Sequence, residues 1–400
     1  MGNALQIVSS NDNLLATWKD RRPRLISSCF GVDRLTGRAF EKGAPGRIAA
    51  LSERLRTGYK PSGLLAIPRP KESGGYRVIC VPTVADRLVQ FSILTQLRPR
   101  LKSAGLDNSV SFGLAPGKAR SVVGARGFAC KARSERGWVY KTDIHKFFDS
   151  LDREKVLEAI AKAVPQRSLR PLIAQFVHCE VSDGIEPGWK SIVSNAGLRN
   201  GWGVRQGMPL SPFLAAAYLK QFDRWLIETS LPAARYVDDI VMFFDSEKAA
   251  REFHPRMVAK MRDLGLDIGD IDDPKSKTNL YAPEDPADFL GMEIAPASQG
   301  YSLRVSRATR DKVGEKLASL ATVAGLVDRG VQLTTLGTFL SSIRRGYINA
   351  YDGADNLVEF EAELADLCKG AKNSVLIELF GAKLGELSQA EKVFVGLEPD

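Results

Sequence analysis

Two aspartates stand side by side in Arg235-Tyr236-Val237-Asp238-Asp239-Ile240-Val241, between apolar stretches. Adjacent carboxylates near a core repel each other, and a cation is the usual remedy. In a strict strand, alternation points Asp238 and Asp239 to opposite sides. A tight turn relaxes that and lets at least one face a metal. The competing reading is a solvated hairpin turn, where Asp is common. A third carboxylate, Asp143, closes the run Trp138-Val139-Tyr140-Lys141-Thr142-Asp143-Ile144, just ahead of Phe147-Phe148. Its alternative role is a helix N-cap or surface turn. Asp143 and Asp238 together place two strand-borne carboxylates in one mixed region. Hard oxygen ligands suit Mg²⁺, which keeps waters and substrate phosphates as its other ligands. Two such ions form a clamp for in-line phosphoryl displacement. The third feature is Gly203-Val204-Arg205-Gln206-Gly207-Met208-Pro209-Leu210-Ser211-Pro212. A glycine-bearing loop entering a helix brings backbone close to a flat or anionic ligand, or simply packs as a tight loop.

The elements that must position these residues are legible in outline. Residues 1–60 are basic and helical in pattern. Leu64-Leu65-Ala66-Ile67-Pro68, a Gly74-Gly75 turn and Tyr76-Arg77-Val78-Ile79-Cys80-Val81-Pro82 read as a hairpin with basic residues near its tip. Val84, Leu88, Phe91, Leu94 and Leu97 predict a helix over 83–102. A strand spans 138–144, and a charged helix starts near Asp152. A long amphipathic helix covers 209–228, with Pro209 and Pro212 in its first turn, where a missing N–H costs little. Residues 233–244 form strand, turn and strand. Beyond about 305 the pattern is helical, with Val313, Leu317, Leu320, Leu336, Leu340 and Ile343 on one face.

Composition narrows the class. At 400 residues, 44% hydrophobic and 26% charged, the chain can bury a real core. That excludes a disordered tail, a collagen-like fibre and a disulfide mini-protein. No stretch approaches the ~18 apolar residues of a membrane helix. Met1 to Asn13 carry no secretory signal, and Gln6 stands where a myristoylation signal after Gly2 wants Ser or Thr. Five scattered cysteines predict reduced thiols in a cytoplasm and no structural zinc. Three histidines leave little room for His-based metal or triad chemistry. Residues 1–140 carry 24 Lys and Arg against 9 Asp and Glu, and the remainder carries 32 against 38. The front third therefore reads as a face for a polyanion, or as a solvated basic surface.

Together the segments resemble reverse transcriptases, in the bacterial branch that includes group II intron-encoded enzymes. Tyr236-Val237-Asp238-Asp239 resembles the family's catalytic palm turn, and Lys141-Thr142-Asp143-Ile144-His145-Lys146-Phe147-Phe148-Asp149 the motif with the first catalytic Asp. Arg205-Gln206-Gly207-Met208-Pro209-Leu210-Ser211-Pro212 resembles the loop and helix under the template–nucleotide pair, with Asp223 in that helix. Tyr76-Arg77-Val78-Ile79, Asp86-Arg87 and Ser111-Phe112-Gly113-Leu114-Ala115-Pro116-Gly117 resemble fingers motifs. Lys277-Thr278 and Phe289-Leu290-Gly291-Met292-Glu293-Ile294 resemble the last palm motifs, and Ile343-Arg344-Arg345-Gly346-Tyr347 a thumb segment. The resemblance runs over roughly 60–355 in family order. It departs at Ala216, where intron-type enzymes carry Asn, and at Leu114-Ala115, where they carry Phe-Arg. No retron signature, HNH cluster or RNase H cluster is present, and the chain ends acidic.

What the resemblance implies is an α+β right-hand polymerase with fingers, a ferredoxin-like palm and a helical thumb. The basic N-terminal extension and fingers would occupy 1–135. The palm would occupy 136–300 with some fingers elements interleaved, and the thumb and C-terminal helices 301–400. Asp143 and Asp238 would bind two Mg²⁺ ions (Mn²⁺ being able to substitute), with the Ile144 carbonyl as an extra ligand and Asp239 at the edge of the site. Arg77, with Lys71, would hold the triphosphate. Lys71 also reads as a solvated loop charge. Phe148 would be the steric gate against a ribose 2′-hydroxyl. Gln206 and Gly207 would sit near the template base and nucleotide. Lys277 would donate a proton to the leaving pyrophosphate or be a plain surface lysine. Phe289, Leu290 and Gly291 would form the primer grip.

The implied activity is RNA-directed DNA polymerase, a nucleotidyltransferase making cDNA from dNTPs on an RNA template with a DNA primer. A stand-alone enzyme using a dedicated non-coding RNA in antiviral defence fits the missing intron domains. The alternatives are an intron-type maturase and reverse transcriptase, an RNA-binding scaffold that needs no polymerisation, and template-independent or protein-primed DNA synthesis. No membrane partner is implied, and the sequence sets no oligomeric state.

Overall fold

The computed structural model describes residues 3–71, 74–381, 383–389 and 391. The Met1–Gly2 start and the last residues of the expected 301–400 segment lie outside the described residues. By compactness the chain falls into two units, 1–122 with 140–280, and 123–139 with 281–400.

The first unit begins with helices Ala4–Ser9, Asn11–Ser27, Gly37–Glu41 and Ala44–Thr57. Three of the four have side-chain N-caps, from Asn3, Ser10 and Thr36, which satisfy N–H groups a helix start leaves open. A hairpin follows, β1 (Leu65–Pro70) and β2 (Tyr76–Val81), paired from Leu65 opposite Val81 to Pro70 opposite Tyr76. The Lys71 N–H donates to the Gly75 carbonyl at 3.0 Å and closes its tip. Helix Val84–Leu97 is capped by Thr83 and ends earlier than residue 102, because Pro99 sits in a following 3₁₀ turn.

The central sheet of this unit has β3 (Ser111–Phe112), β4 (Trp138–Asp143), β5 (Ala233–Tyr236), β6 (Asp239–Phe244) and β7 (Asn279–Tyr281). Their order is β3-β5-β6-β4-β7. β3 runs parallel to β5, and β5 and β6 form an antiparallel hairpin. Helix Ser211–Glu228 lies in the same unit, as does Glu247–Asp263. Apolar side chains weld them together. Phe222 stacks near Trp225, Trp225 near Phe253, and Phe253 near Phe244 of β6, with ring centroids 5.5–5.7 Å apart. Each aromatic buried in such a chain contributes about 1.5–3 kcal/mol.

The second unit holds helix Val122–Glu135, then β8 (Ala287–Phe289), β9 (Met292–Pro296) and β10 (Tyr301–Arg304), a sheet of order β10-β9-β8. Buried Arg133 binds that helix to the sheet region. It donates to the carbonyls of Ile294, Ala282 and Asp285 and lies 4.5 Å from the Tyr301 ring centroid. From Arg307 onward the unit is helical, as the pattern predicted, with the long helices Leu336–Ala350 and Leu357–Phe380. Val313, Leu317, Leu336, Leu340, Phe360 and Leu364 form its core.

The fold is mixed α and β, as the sequence predicted. All five cysteines are unpaired. Among the described residues no helix is long and apolar enough to cross a membrane.

Candidate active site

The paired aspartates sit where β5 turns into β6. Tyr236 faces Asp239 in the ladder, so the turn consists of Val237 and Asp238 alone. Val237 adopts φ +61°, the left-handed region that a β-branched residue strongly disfavours. The surroundings hold it there. Arg235, buried in β5, donates from Nη1 to the Val237 carbonyl at 2.9 Å. The same guanidinium grips both carboxylate oxygens of Asp223 in helix Ser211–Glu228, each at 2.6 Å, and donates to Ser111 Oγ of β3 at 3.0 Å. Asp223 is buried too and takes a further bond from Asn108. One fork-shaped ion pair thus ties the helix, two strands and the turn.

β4 supplies the third carboxylate. Lys141 and Asp143 alternate onto one face of the strand, while Thr142 points the other way and is buried. The Thr142 hydroxyl is 2.7 Å from that of Thr278, and next to Thr278 the Lys277 ammonium reaches Asp143 at 3.0 Å. The Ile144 N–H donates to the Asp238 carbonyl at 3.3 Å, drawing the turn to the end of β4. Ile144 itself is buried.

The three acids feel one another. Burial, then the Asp143 charge, then Asp239 push the Asp238 carboxyl up to about 6, against a smaller opposing pull from a backbone hydrogen bond and Lys277. Asp239 is also raised, by burial and by Asp143, with Lys141 and Lys277 opposing. The structure does not arrange three such acids as a ready-made cage: among the described residues no group of three His, Cys, Asp or Glu side chains is set to hold a metal ion. Mg²⁺ does not require one, since it is bound through one or two carboxylates completed by water and substrate phosphates. An all-oxygen donor set in which Asp238 and Asp239 resist ionising therefore fits a divalent cation.

A cavity of about 410 Å³ lies in the same unit, lined among others by Phe148, Gln206, Gly207 and Pro209. It brings three of the expected nucleotide-site residues together. The glycine loop is fastened on both sides of them. The Val204 N–H donates to the Phe148 carbonyl at 2.8 Å, and the Cys80 N–H of β2 to the Gln206 carbonyl at 2.7 Å. Gly207 has φ +105°, and a Cβ there would meet the Cys80 carbonyl at 2.8 Å, so only glycine fits. Beneath the loop Glu180 accepts from Arg153 at 2.6 Å, from the Gly201 N–H at 2.8 Å and from Arg205. Burial alone would raise Glu180, but these donors hold it below the ordinary carboxylate range.

Lys71 and Arg77 sit on the β1–β2 hairpin. The charge of Lys71 acts on Asp149, next to Phe148. Arg77 is exposed and stands directly opposite Arg69, a residue the sequence reading passed over. Among the described residues no acid pairs with either. Two like charges facing across a hairpin are unfavourable unless an anion joins them. The expected primer-grip residues belong to the second unit. Phe289 is buried at the end of β8, and Leu290 and Gly291 turn into β9 with φ +50° and +81°. Arg126 donates to the Leu290 carbonyl and, at 2.8 Å, to that of Ala350.

Two outcomes follow. Because the Asp238 carboxyl must lose its proton to bind a cation, Mn²⁺ affinity read by electron paramagnetic resonance should weaken as pH drops through about 6. It should be low at every pH in Asp238→Asn, and a flat profile in the wild type contradicts this. Arg235→Met should cost about 3–5 kcal/mol in urea unfolding, because it strands a buried carboxylate. Arg235→Met with Asp223→Leu should recover much of that loss. Both variants lack the Val237 bond, so Mn²⁺ affinity should stay low in both.

A family model described as reverse transcriptase (RNA-dependent DNA polymerase) matches residues 69–294, more than half of the chain. Protein YkfC of Escherichia coli (strain K12) is 24% identical over 205 residues, which is 50% of this chain and 51% of that protein. The match thus spans about half the length of that relative. Among solved structures, telomerase from Candida albicans in complex with a TWJ fragment of telomeric RNA aligns with TM-score 0.45 and 11% identity, over 90% of this chain and 68% of that one. A partial Cas6-RT-Cas1–Cas2 complex aligns with TM-score 0.37 and 18% identity, over 66% and 42%. The matched segment runs from the basic hairpin through the glycine loop and the acidic turn, and the chain belongs to the reverse transcriptase (RNA-dependent DNA polymerase) family.

Proposed function

We propose that the protein is an active RNA-directed DNA polymerase that copies an RNA template into cDNA from dNTPs. The observation that carries this reading is the Asp143, Asp238 and Asp239 cluster in the same unit as a cavity walled by Phe148, Gln206 and Gly207. Asp143 and Asp238, with the Ile144 carbonyl, hold two Mg²⁺ ions, and Asp239 supports them from the edge. When bound, the ions supply Lewis acidity to the primer 3′-hydroxyl and neutralise phosphate charge. Arg77, Lys71 and Arg69 hold the triphosphate from the hairpin, which also neutralises their mutual repulsion. Gln206 and Gly207 support the template base and the nucleotide, and the Phe148 ring excludes a ribose 2′-hydroxyl. Lys277, released from Asp143, donates a proton to pyrophosphate. Positioning and electrostatics do most of the work in such a transfer.

Residues 1–135 serve as N-terminal extension and fingers, 136–300 as palm and 301–400 as thumb, with Phe289 to Gly291 gripping the primer. The enzyme works in the cytoplasm on a dedicated non-coding RNA, in antiviral defence.

Two measurements test this. Phe148→Ala should raise incorporation of ribonucleotides relative to deoxynucleotides by tenfold or more on the scale of a lost steric clash of about 1.4 kcal/mol. An unchanged ratio removes Phe148 from the gate. Protein purified from its native host should carry one abundant RNA with matching cDNA, absent in Asp238→Ala/Asp239→Ala. Bound RNA without acid-dependent DNA would favour a scaffold. DNA unrelated to the RNA, or DNA still attached after denaturation, would favour template-independent or protein-primed synthesis.

A further inference from the structure

The Glu180 side chain is 30% exposed, so it is no core residue, yet several segments are fastened to it. Its main chain pairs with the residue before β1. The Leu64 N–H donates to the Glu180 carbonyl, and the Ser182 N–H to the Leu64 carbonyl, both at 2.9 Å. Both oxygens of its carboxylate are used. One accepts from Arg153 Nη1 at 2.6 Å and from the Gly201 N–H at 2.8 Å. The other accepts from Nε and Nη2 of Arg205. Both arginines are buried, and Arg153 opens the helix Arg153–Ala163.

From these two arginines the bonds run on to the nucleotide cavity. Arg153 Nε donates to the Gly203 carbonyl at 2.8 Å. Gly203 rests on the segment that carries Phe148. Its N–H donates to the Leu151 carbonyl at 3.0 Å, and a Cβ on it would meet the Asp149 Cα and the Phe148 carbonyl oxygen at 3.0 Å. Val204 then bonds the Phe148 carbonyl, and Arg205 directly precedes Gln206. Packing this close leaves no slack, so a shift of the loop is passed on to the Phe148 backbone. Glu180 itself does not line the cavity and acts there only through these bonds.

Stability is not what the cluster serves best. One carboxylate is shared by two buried guanidiniums. Arg153 Nη2 and Arg205 Nη1 are buried and donate to no group among the described residues. Unmet buried donors lower stability, and an apolar filling would avoid them. Such a filling would not fix where the loop lies against Phe148.

We propose that Glu180 is a positioning residue that sets the spacing between the Phe148 ring and the Gln206–Gly207 backbone, and thereby the preference for deoxynucleotides over ribonucleotides. This rests on the polymerase reading above, with Phe148 as gate, and deepens it. A ring can select a sugar only where the loop beside it is held at a fixed distance.

The test uses the full chain with a DNA primer on an RNA template, one dNTP and its matching rNTP. It measures incorporation and, with Mn²⁺ and a dideoxy-terminated primer, nucleotide binding. In Glu180→Gln the preference should fall about tenfold in both, within the ~10²-fold that a misplacement of about 1 Å can cost. The loss should lie in KM, with the maximal dNTP rate kept within about threefold. Glu180→Gln also adds one net positive charge to the cluster. Glu180→Gln/Arg205→Met returns the net charge to that of the wild type, so stability in urea should recover. The preference should stay low there, because a methionine cannot grip Glu180 or its replacement. Wild-type preference in Glu180→Gln, or preference that returns with stability in the double variant, overturns the proposal. Where only the double variant folds, its preference decides in the same way. Phe148→Ala, run beside them, keeps the two levels apart. Loss of preference in Phe148→Ala but not in Glu180→Gln keeps the gate and overturns the role of Glu180. Loss in Glu180→Gln alone overturns it too, since Glu180 acts through the ring. No incorporation by the wild type would count against the polymerase reading, while the binding comparison still decides Glu180.

Discussion

The ion pair between Arg235 and Asp223 sits where every constraint on the acidic turn meets. Both side chains are buried, both carboxylate oxygens are used, and the remaining guanidinium nitrogen reaches the carbonyl of Val237. Taking two charges out of water costs several kcal/mol, and only good geometry offsets it. Hydrophobic residues of the same volume would stabilise such a core at least as well. What they could not do is hold a valine at positive φ, and with it the direction in which Asp238 leaves the sheet. The pair trades stability for a fixed turn.

That turn carries a second conflict. Asp238 and Asp239 are buried beside Asp143, and burial first, then that charge, makes both reluctant to ionise. Lys277 relieves part of it by binding Asp143 from one side, and Lys141 does so for Asp239. A lysine pair of this sort at a largely exposed position is weak. On the proposed reading it gives way to a divalent cation, which carries twice the charge. The neighbouring glycine loop follows the same logic. Arg205 is committed to Glu180 beneath it, so its backbone and Gln206 are left to face the cavity.

Much of this was legible beforehand, for physical reasons. Periodicity located the hairpin at 65–81, the strand ending at Asp143, the hairpin at 233–244 and the helices beyond 305, because each buries one face. Residue chemistry drew attention to the acids and to the glycine loop. What could not be read was partnership at long range. Arg235 was visible beside the acids, and Asp223 in its helix, yet nothing in their spacing says that they grip each other. Arg69 was invisible until strand register set it opposite Arg77. Arg24 and Arg98 are 74 positions apart, and only tertiary packing makes both line one cavity.

The most direct measurement is extension of a labelled DNA primer on an RNA template of defined sequence, with one dNTP at a time, in wild type and Asp238→Asn. The structure predicts addition of only the nucleotide complementary to the template base, dependent on Mg²⁺ or Mn²⁺, and lost in the variant. No incorporation by the wild type, or incorporation that ignores the template or survives Asp238→Asn, would contradict it.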